Sequence, residues 1–172
     1  HSMGGLISLH AVLKGYLKPK ALVMASPLLR LPQQPVPGNI AKPLSNILSK
    51  LKLDSVSTGA GSHTQNTPFE VNQLTHNYDR YQEMSRSLYP IPGATFGWAN
   101  ETFKALDEVF SEELLSNLEI PVLLMHGSNE SVVDPSGFRD WITTAQKYSK
   151  AEIEYRVISG ARHELYSERR LL

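Results

Sequence analysis

The chain has 172 residues, of which 41% are hydrophobic and 20% charged, a composition typical of one globular domain rather than of a disordered or fibrous chain. Its 17 basic and 17 acidic residues give a formal net charge of zero, so no basic surplus points to nucleic acid as a partner. Without cysteine, disulfides, thiolate metal sites and a cysteine nucleophile are excluded.

The hydrophobic pattern of the first third predicts a helix followed by a strand. Residues 3–16 are apolar nearly all round, which is typical of a buried helix, and Gly15 provides its stop. The continuous apolar run over residues 21–29 predicts a strand covered on both faces. Four prolines then predict that residues 28–43 form neither a regular helix nor a central strand: Pro32, Pro35, Pro37 and Pro43.

The middle of the chain reads as helical and rich in loops. Apolar residues recur at helical spacing over residues 44–51, and residues 55–67 have loop composition. Further helices are predicted over residues 75–88 and, as one or two helices, over residues 95–118. Phe96, Trp98 and Phe103 are interpreted chiefly as apolar core of this region, with a role in lining an acyl pocket left open.

The last third alternates between strands and a helix. Strands are predicted over residues 120–127 and 152–158, the second half-exposed near a sheet edge, with a helix over residues 134–148 between them. Asp134 can cap that helix and Pro135 suits its first position. The alternation predicts a parallel α/β sheet, with the middle region inserted as a helical cap over the strand ends. We therefore divide the chain into core (1–29), cap (30–118) and core (119–172).

The opening HSMGG raises the question of a catalytic serine. A serine hydroxyl needs a base to act as a nucleophile, and one recurrent arrangement places it on a sharp strand-to-helix turn with the pattern G-x-S-x-G. Ser2 has Gly4 at the required offset and a buried helix behind it, although the first glycine of the pattern would precede His1. The alternative is a remnant of an expression vector.

Two later turns carry the groups that such a serine requires. The turn HGSNESVVDP places Glu130 and Asp134 after a buried strand, and GARHE places His163 after the last strand. The order serine, acid, histidine is that of α/β-hydrolases, and active sites of open α/β sheets collect at the carboxyl ends of strands. Of the two acids, Glu130 is preferred because Asp134 already has the helix start to cap.

Most of the chain resembles α/β-hydrolases of the monoacylglycerol lipase and lysophospholipase group, with the bacterial lysophospholipase L2 type the most similar. The resemblance implies an α/β-hydrolase fold with a partial parallel sheet, helices on both faces and an inserted helical cap. The segments that carry it are HSMGG, PVLLMHGSNESVVD and GARHELYSE around the three site residues, and NQLTHNYDRY and GATFGWANET in the cap.

The resemblance also implies a role for each site residue. Ser2 would be the nucleophile, His163 the general base, and Glu130 the acid, at a position where the family commonly has aspartate; Asp134 remains the alternative acid. The backbone N–H of Met3 would stabilise the oxyanion, with a second donor expected upstream of His1. Neither a cofactor nor a metal ion is implied.

The expected function is hydrolysis of lipid carboxylic esters, such as lysophospholipids or monoacylglycerols, through an acyl-enzyme. The alternatives are an aminopeptidase or small-ester hydrolase on the same fold, or a non-catalytic fragment. We expect the chain to begin within the fold, so that residues 1–172 alone are inactive and poorly folded. A cytoplasmic location is expected, with peripheral contact at the inner face of the membrane and the oligomeric state left open.

Overall fold

A computed structural model describes residues 1–32, 38–58, 67–86 and 93–169. There are also two short 3₁₀ turns in the described residues: Phe69–Val71, before the third α-helix, and Leu165–Ser167, after the last strand. The helices and strands, in chain order, are α1 (Ser2–Leu13), β1 (Leu22–Ala25), α2 (Gly38–Lys50), α3 (Tyr78–Ser85), α4 (Phe96–Val109), α5 (Glu112–Leu115), β2 (Val122–Gly127), α6 (Ser136–Tyr148) and β3 (Ile153–Ile158).

The strands form one parallel sheet in the order β1-β2-β3 among the described residues. The register places Met24 beside Leu124, and Leu124 beside Tyr155. The predicted parallel α/β arrangement is confirmed, as is the position of β3 at an edge of the described sheet. Because parallel strands end at the same side, the segments that follow β1, β2 and β3 converge there.

The main core lies between one face of this sheet and helices α1 and α6. Met24 and Leu124 are fully buried there. Burial of each such side chain contributes about 1.5–3 kcal/mol. Val23 points to the opposite face and is 54% exposed, unlike the strand covered on both faces that the apolar run predicts. These two helices contribute six residues to the core: Leu6, Leu9 and Leu13 of α1, and Phe138, Trp141 and Ala145 of α6.

Helix α1 ends at Leu13, three residues before the predicted end, although Gly15 follows it as the predicted stop; α2 does not begin as predicted. Gly15 has a φ of +74°, which a glycine adopts without the steric cost of a Cβ, and this residue follows the last turn of α1. Helix α2 begins at Gly38 and contains Pro43, so the prediction that the prolines exclude a helix up to residue 43 is wrong. Proline removes one N–H donor from the helix, and α2 tolerates that loss close to its start.

The apolar stripe of α2 faces solvent rather than the core. Ile40, Leu44, Ile47 and the following Leu51 are between 43% and 64% exposed, although they recur at helical spacing. The side that packs against the rest of the molecule carries Ser45, which is buried, and its contacts are mainly with α4. Periodicity therefore predicts the helix correctly but not the face that becomes buried.

Helix α3 begins at Tyr78 rather than at Thr75, because the side chain of Asn77 accepts the N–H of Arg80 and caps the helix there. Leu88, the predicted end, lies outside the described residues, as do 59–66 of the predicted loop. Of the one or two helices expected between residues 95 and 118, the structure has two, α4 and α5, capped by Thr95 and Ser111.

The division of the chain into core and cap stays a prediction. Val109, Leu115 and Leu118, at the end of the predicted cap, pack in the same cluster as α1 and the sheet.

Among the helices that the structure describes, none combines the length and apolar character needed to cross a bilayer.

Candidate active site

The serine turn, residues 1–5, joins directly to α1. Ser2 has a φ of +50°, an uncommon conformation for a residue with a Cβ and one typical of a strained, functional turn. Its carbonyl oxygen accepts the N–H of Leu28 at 2.9 Å, which ties the turn to the segment after β1. A Cβ on Gly5 would lie 2.7 Å from that of Pro27, so only glycine permits this close approach.

The acid turn (residues 127–134) and the histidine loop (residues 159–168) are bound to each other by their backbones. The N–H of Ser128 donates to Ile158 and the N–H of Asn129 donates to Ala161, each at 2.9 Å. A Cβ on Gly127 would lie 2.0 Å from the carbonyl oxygen of Ala161. The glycine at the end of β2 therefore allows the two segments to pack without a side chain between them.

These contacts bring Ser2, His163 and Glu130 into one hydrogen-bonded chain. Ser2 Oγ lies 3.0 Å from His163 Nε2, and His163 Nδ1 lies 2.8 Å from Glu130 Oε2. The side chains of His163 and Glu130 are 3% and 1% exposed. With Nδ1 protonated and bonded to the carboxylate, Nε2 is left to accept the proton of the Ser2 hydroxyl. This is the geometry required of a nucleophile, its base and the group that orients the base.

The second oxygen of Glu130 is also bonded. Glu130 Oε1 accepts the N–H groups of Val132 and Val133 at 2.8 and 3.2 Å. Burial alone would raise the pKa of Glu130, but the hydrogen bond and charge of His163, together with these N–H groups, lower it below its ordinary value. The carboxylate is thus held in its charged form, as an orienting acid must be.

Asp134, the alternative acid, is engaged elsewhere. Its Oδ1 accepts the Ser136 hydroxyl at 2.7 Å and the Ser136 N–H at 2.9 Å. The hydroxyl bond is the main cause of the lowered pKa of Asp134. The structure brings Glu130 to His163 and leaves Asp134 at the start of α6.

Met3 follows the serine at the first turn of α1, where backbone N–H groups have no partner within the helix. No hydrogen-bond acceptor for the Met3 N–H is found in the part of the chain that the structure describes. Its thioether sulfur lies 2.9 Å from Trp98 Nε1 of α4. Trp98, interpreted from sequence chiefly as apolar core with a pocket-lining role left open, is 36% exposed and lies beside the serine turn.

His1 connects the serine turn to the histidine loop. Its Nε2 lies 3.2 Å from the carbonyl oxygen of His163, and the two rings meet edge to face with centroids 4.7 Å apart. His1 Nδ1 is 3.8 Å from Glu164 Oε1. Burial raises the pKa of Glu164. The residue before the serine thus supports the loop that carries the histidine.

His126 supports the acid turn, a role that the sequence does not reveal. Burial lowers the pKa of His126, so its ring is neutral. Its Nδ1 donates to Gly127 O at 2.7 Å and its Nε2 accepts the Tyr155 hydroxyl at 2.6 Å. The same Gly127 carbonyl accepts the N–H of Glu130. The only related pattern in the sequence is the alternation of β3, which predicts that Tyr155 lies on the covered face of the sheet. It does not predict that Tyr155 bonds to His126.

A second group missed by sequence reasoning is the segment of residues 72–77, which lies along the histidine loop. The carbonyl oxygens of Gln73 and Leu74 accept the N–H groups of His163 and Glu164. Both segments resemble the same enzyme group, but nothing in one sequence indicates that they touch.

As for a metal ion, the described ranges contain no group of three His, Asp or Glu side chains that could hold one.

Comparison with known proteins identifies the family. The family model described as serine aminopeptidase, S33, matches residues 1–170. Phospholipase YtpA of Bacillus subtilis is 26% identical over 174 residues, a match that covers 98% of this chain and 60% of that protein. The chain thus spans about 60% of the length of this curated relative.

Two solved structures show the same fold. The monoacylglycerol lipase of Paleococcus ferrophilus superposes with a TM-score of 0.73 at 19% identity, over 99% of this chain and 60% of that one. A soluble variant of monoglyceride lipase from Saccharomyces cerevisiae, in complex with a substrate analogue, gives 0.74 at 20% identity, over 99% and 55%. The α/β-hydrolase fold is confirmed. The chain belongs to the serine aminopeptidase S33 family and has the α/β-hydrolase fold.

Proposed function

We propose that the protein hydrolyses carboxylic esters of lipids, with Ser2 as nucleophile, His163 as general base and acid, and Glu130 as the orienting acid. The observation that carries the proposal is the chain of hydrogen bonds from Ser2 Oγ through the His163 ring to the Glu130 carboxylate. The names of the relatives add support at the level of the group.

In the first half-reaction, Ser2 Oγ attacks the carbonyl carbon of the ester while its proton passes to His163 Nε2. The carbonyl oxygen becomes an oxyanion that accepts the Met3 N–H. His163 then gives the proton to the alkoxide oxygen as the C–O bond breaks. The alcohol leaves and the acyl group stays on Ser2, while Glu130 stabilises the transient imidazolium.

In the second half-reaction, a water molecule attacks the acyl carbon and gives its proton to His163 Nε2. The bond to Ser2 Oγ breaks as the oxygen regains a proton from His163, and the fatty acid leaves. His163 thus alternates between base and acid without net change. Glu130 remains ionised throughout, consistent with its lowered pKa.

A groove beside the serine turn supports a substrate with an acyl chain. It lies between α1 and α4, has a volume of about 550 Å³, and Met3, the residue after the serine, is part of its lining. Its apolar lining includes Leu6, Ile7, Trp98 and Ala105. Apolar chains gain from such a groove because their surface leaves water. We assign the acyl group of the substrate to this groove, and the cap division (30–118) remains part of the proposal.

Reaction of the full-length protein with a fluorophosphonate probe tests the nucleophile. We expect label on Ser2, and loss of both label and ester turnover in Ser2→Ala. Ester turnover that survives in Ser2→Ala would disprove the mechanism. Thr144→Ala, which removes an exposed hydroxyl on α6, serves as the control and should label normally.

Turnover of lysophosphatidylcholine, monoacylglycerol and aminoacyl arylamides by the same preparation separates the substrate classes. The family description favours a second candidate, an aminopeptidase, so preference for the arylamide would replace the lipid assignment.

Within the lipid assignment, Ile7→Glu places a charge in the groove. It should raise KM for a long-chain ester and leave that for an acetyl ester unchanged; equal effects would remove the groove from the proposal.

The exposed stripe of α2 supports peripheral contact with a membrane. Ile40, Leu44 and Ile47 present apolar side chains to solvent, and the exposed Lys50 and Lys52 flank them. An amphipathic helix with this arrangement lies in the interface of an anionic bilayer. The double variant Leu44→Ser, Ile47→Ser should sediment less with anionic phospholipid vesicles, while Val157→Ser should bind like the wild type. Unchanged sedimentation of the double variant would refute membrane contact, and the cytoplasmic location stays a prediction.

A further inference from the structure

The histidine loop contains no helix or strand until its 3₁₀ turn, so other segments must hold the position of His163. Residues 72–77 lie beside it and accept two of its backbone N–H groups. The bond from Glu164 N to Leu74 O is 2.8 Å, and that from His163 N to Gln73 O is 3.4 Å. The predicted base is therefore bound through its own backbone and through that of the residue after it.

Glu168 fixes the residue before the base. Its Oε1 accepts the Arg162 N–H at 2.7 Å, and its Oε2 accepts the His76 N–H at 2.9 Å. The His76 ring adds a contact from Nδ1 to Oε1 at 3.1 Å. The carboxylate, whose side chain is 11% exposed, joins both ends of the histidine loop to residues 72–77.

Thr75 and Asn72 give these residues the shape that the contact requires. The buried Thr75 hydroxyl donates to Ser167 O at 2.8 Å, and the Arg162 guanidinium donates to Thr75 O at 3.2 Å. Asn72 Oδ1 accepts the N–H groups of Leu74 and Thr75, which closes a turn of the kind that asparagine favours. The contact thus rests on named side chains as well as on the backbone.

Both oxygens of Glu168 serve as acceptors, and this makes the negative carboxylate necessary. Burial alone would raise the pKa of Glu168, but the N–H groups of Arg162 and His76 and the His76 ring lower it below the ordinary value. An amide at this position would have to direct its NH₂ group at one of two N–H donors. Two donors facing each other repel, so glutamine cannot make both bonds.

We propose that Glu168 is a positioning residue which, with residues 72–77, forms a clasp that holds His163 in reach of Ser2 and Glu130 at once. The inference rests on the proposed function, since it assigns the clasp to the base of that reaction. The base must meet two partners, 3.0 and 2.8 Å away, from a loop without regular structure. A displacement of about 1 Å at such a site costs up to about a hundredfold in rate.

The test compares Glu168→Gln with Glu83→Gln in the full-length protein. Glu83 is an exposed glutamate of α3 that pairs with Arg80, so its variant controls for loss of a surface charge. For each protein, kcat and KM are measured on a water-soluble ester, and the number of reactive serines is measured by fluorophosphonate titration. We expect Glu168→Gln to lower kcat about ten- to hundredfold, with KM within about twofold of the wild type and every serine still titratable.

A second pair separates positioning from general stability. Thr75→Val removes the hydroxyl at nearly constant volume and should lower kcat, whereas Thr75→Ser retains the hydroxyl and should restore it. Thr75→Val combined with Glu168→Gln should cost less than the product of the single effects, because both act on one loop.

Two results would overturn the clasp: a kcat in Glu168→Gln equal to that in Glu83→Gln, or a loss of titratable serines in proportion to the loss of turnover. The second result would mean that fewer molecules fold and that the folded ones work normally. Wild-type protein that does not label at Ser2 would instead refute the proposed function and the clasp with it. Normal labelling with an unaffected Glu168→Gln would refute the clasp alone.

Discussion

The serine turn and the histidine loop reach the same site by different means. Ser2 is placed mainly by local features, because α1 begins there and its positive φ turns the chain, and the nearby segment after β1 adds the contact of Pro27 with Gly5. His163 is placed chiefly by partners more than thirty residues away, in the acid turn and in residues 72–77, to which Glu168 of its own loop is bonded. Local devices are visible in a sequence and long-range ones are not, which explains why one half of the site is easier to predict.

The largest expected effect comes from the contact between the histidine ring and Glu130 of the acid turn. Glu130→Gln should lower kcat by about 10³- to 10⁴-fold, because an amide favours the wrong imidazole tautomer and cannot stabilise the imidazolium. Steady-state kinetics on a soluble ester would measure this loss. Glu130→Asp, which keeps a carboxylate on a shorter side chain, should retain more activity than Glu130→Gln.

Asp134→Asn is the matched control for that variant. Asp134 bonds to Ser136 at the start of α6, so its amide should change the unfolding midpoint slightly and leave kcat near the wild-type value. The reverse pattern, with Asp134→Asn inactive and Glu130→Gln active, would transfer the role of the acid to Asp134.

A pair of glycine variants sharpens the comparison between the two regions. In Gly127→Ala the added Cβ would meet the Ala161 carbonyl at 2.0 Å, and backbone must move to relieve this clash. In Gly5→Ala the nearest atom is Cβ of Pro27 at 2.7 Å. Overpacking of this kind costs about 1–3 kcal/mol in the free energy of unfolding. We expect Gly127→Ala to lose more kcat than Gly5→Ala, because its clash displaces the histidine loop from Ser2.

Urea unfolding and ester kinetics of both variants would check this order. Gly160→Ala is a third case, with no heavy atom within 4 Å of the added Cβ but a φ of +72°. It isolates backbone strain, about 1–2 kcal/mol, from steric clash. A Gly127→Ala protein with wild-type stability and turnover would show that the contact with Ala161 does not position the loop.

The same contrast explains which parts of the structure the sequence predicts. Helix α6 is predictable to within two residues because Asp134 and Pro135 lie directly before Ser136, where it begins, and α1 is predictable because Gly15 lies just after its end. The start of α2 is not predictable from sequence, because its packing against α4 outweighs the free-energy cost of placing Pro43 inside a helix. The preference for Glu130 over Asp134 follows from local capping chemistry. The bond between Tyr155 and His126 joins different strands and has no local signal.

The clasp marks the limit of this kind of reasoning. NQLTHNYDRY and GARHELYSE are each recognisable, yet Thr75 and Ser167 lie 92 positions apart and no periodicity relates them. Their pairing depends on how residues 72–77 come to lie along the histidine loop, which is a property of the whole fold. Residues proposed to act by positioning His163 can therefore be identified only from a structure that shows which segments contact the histidine loop.

The smallest expected effect is the dependence of stability on pH through Glu168. Because the folded protein lowers the pKa of this carboxyl, the charged form stabilises the fold above its unfolded pKa, and that contribution is lost as pH falls through the folded pKa. The difference in free energy of unfolding between wild type and Glu168→Gln should thus be largest near pH 7 and shrink as the pH falls below about 4.5. Urea unfolding at several pH values measures it.

Thr75→Val provides the comparison for this prediction, since it removes a hydroxyl bond of the same clasp without removing a titrating group. Its destabilisation should stay nearly constant over the same pH range. If the difference in free energy of unfolding between wild type and Glu168→Gln is also constant with pH, the carboxyl group contributes as a hydrogen-bond acceptor whatever its charge. In that case the clasp would depend on shape alone, and the histidine loop would resemble the serine turn more closely than the charge at Glu168 suggests.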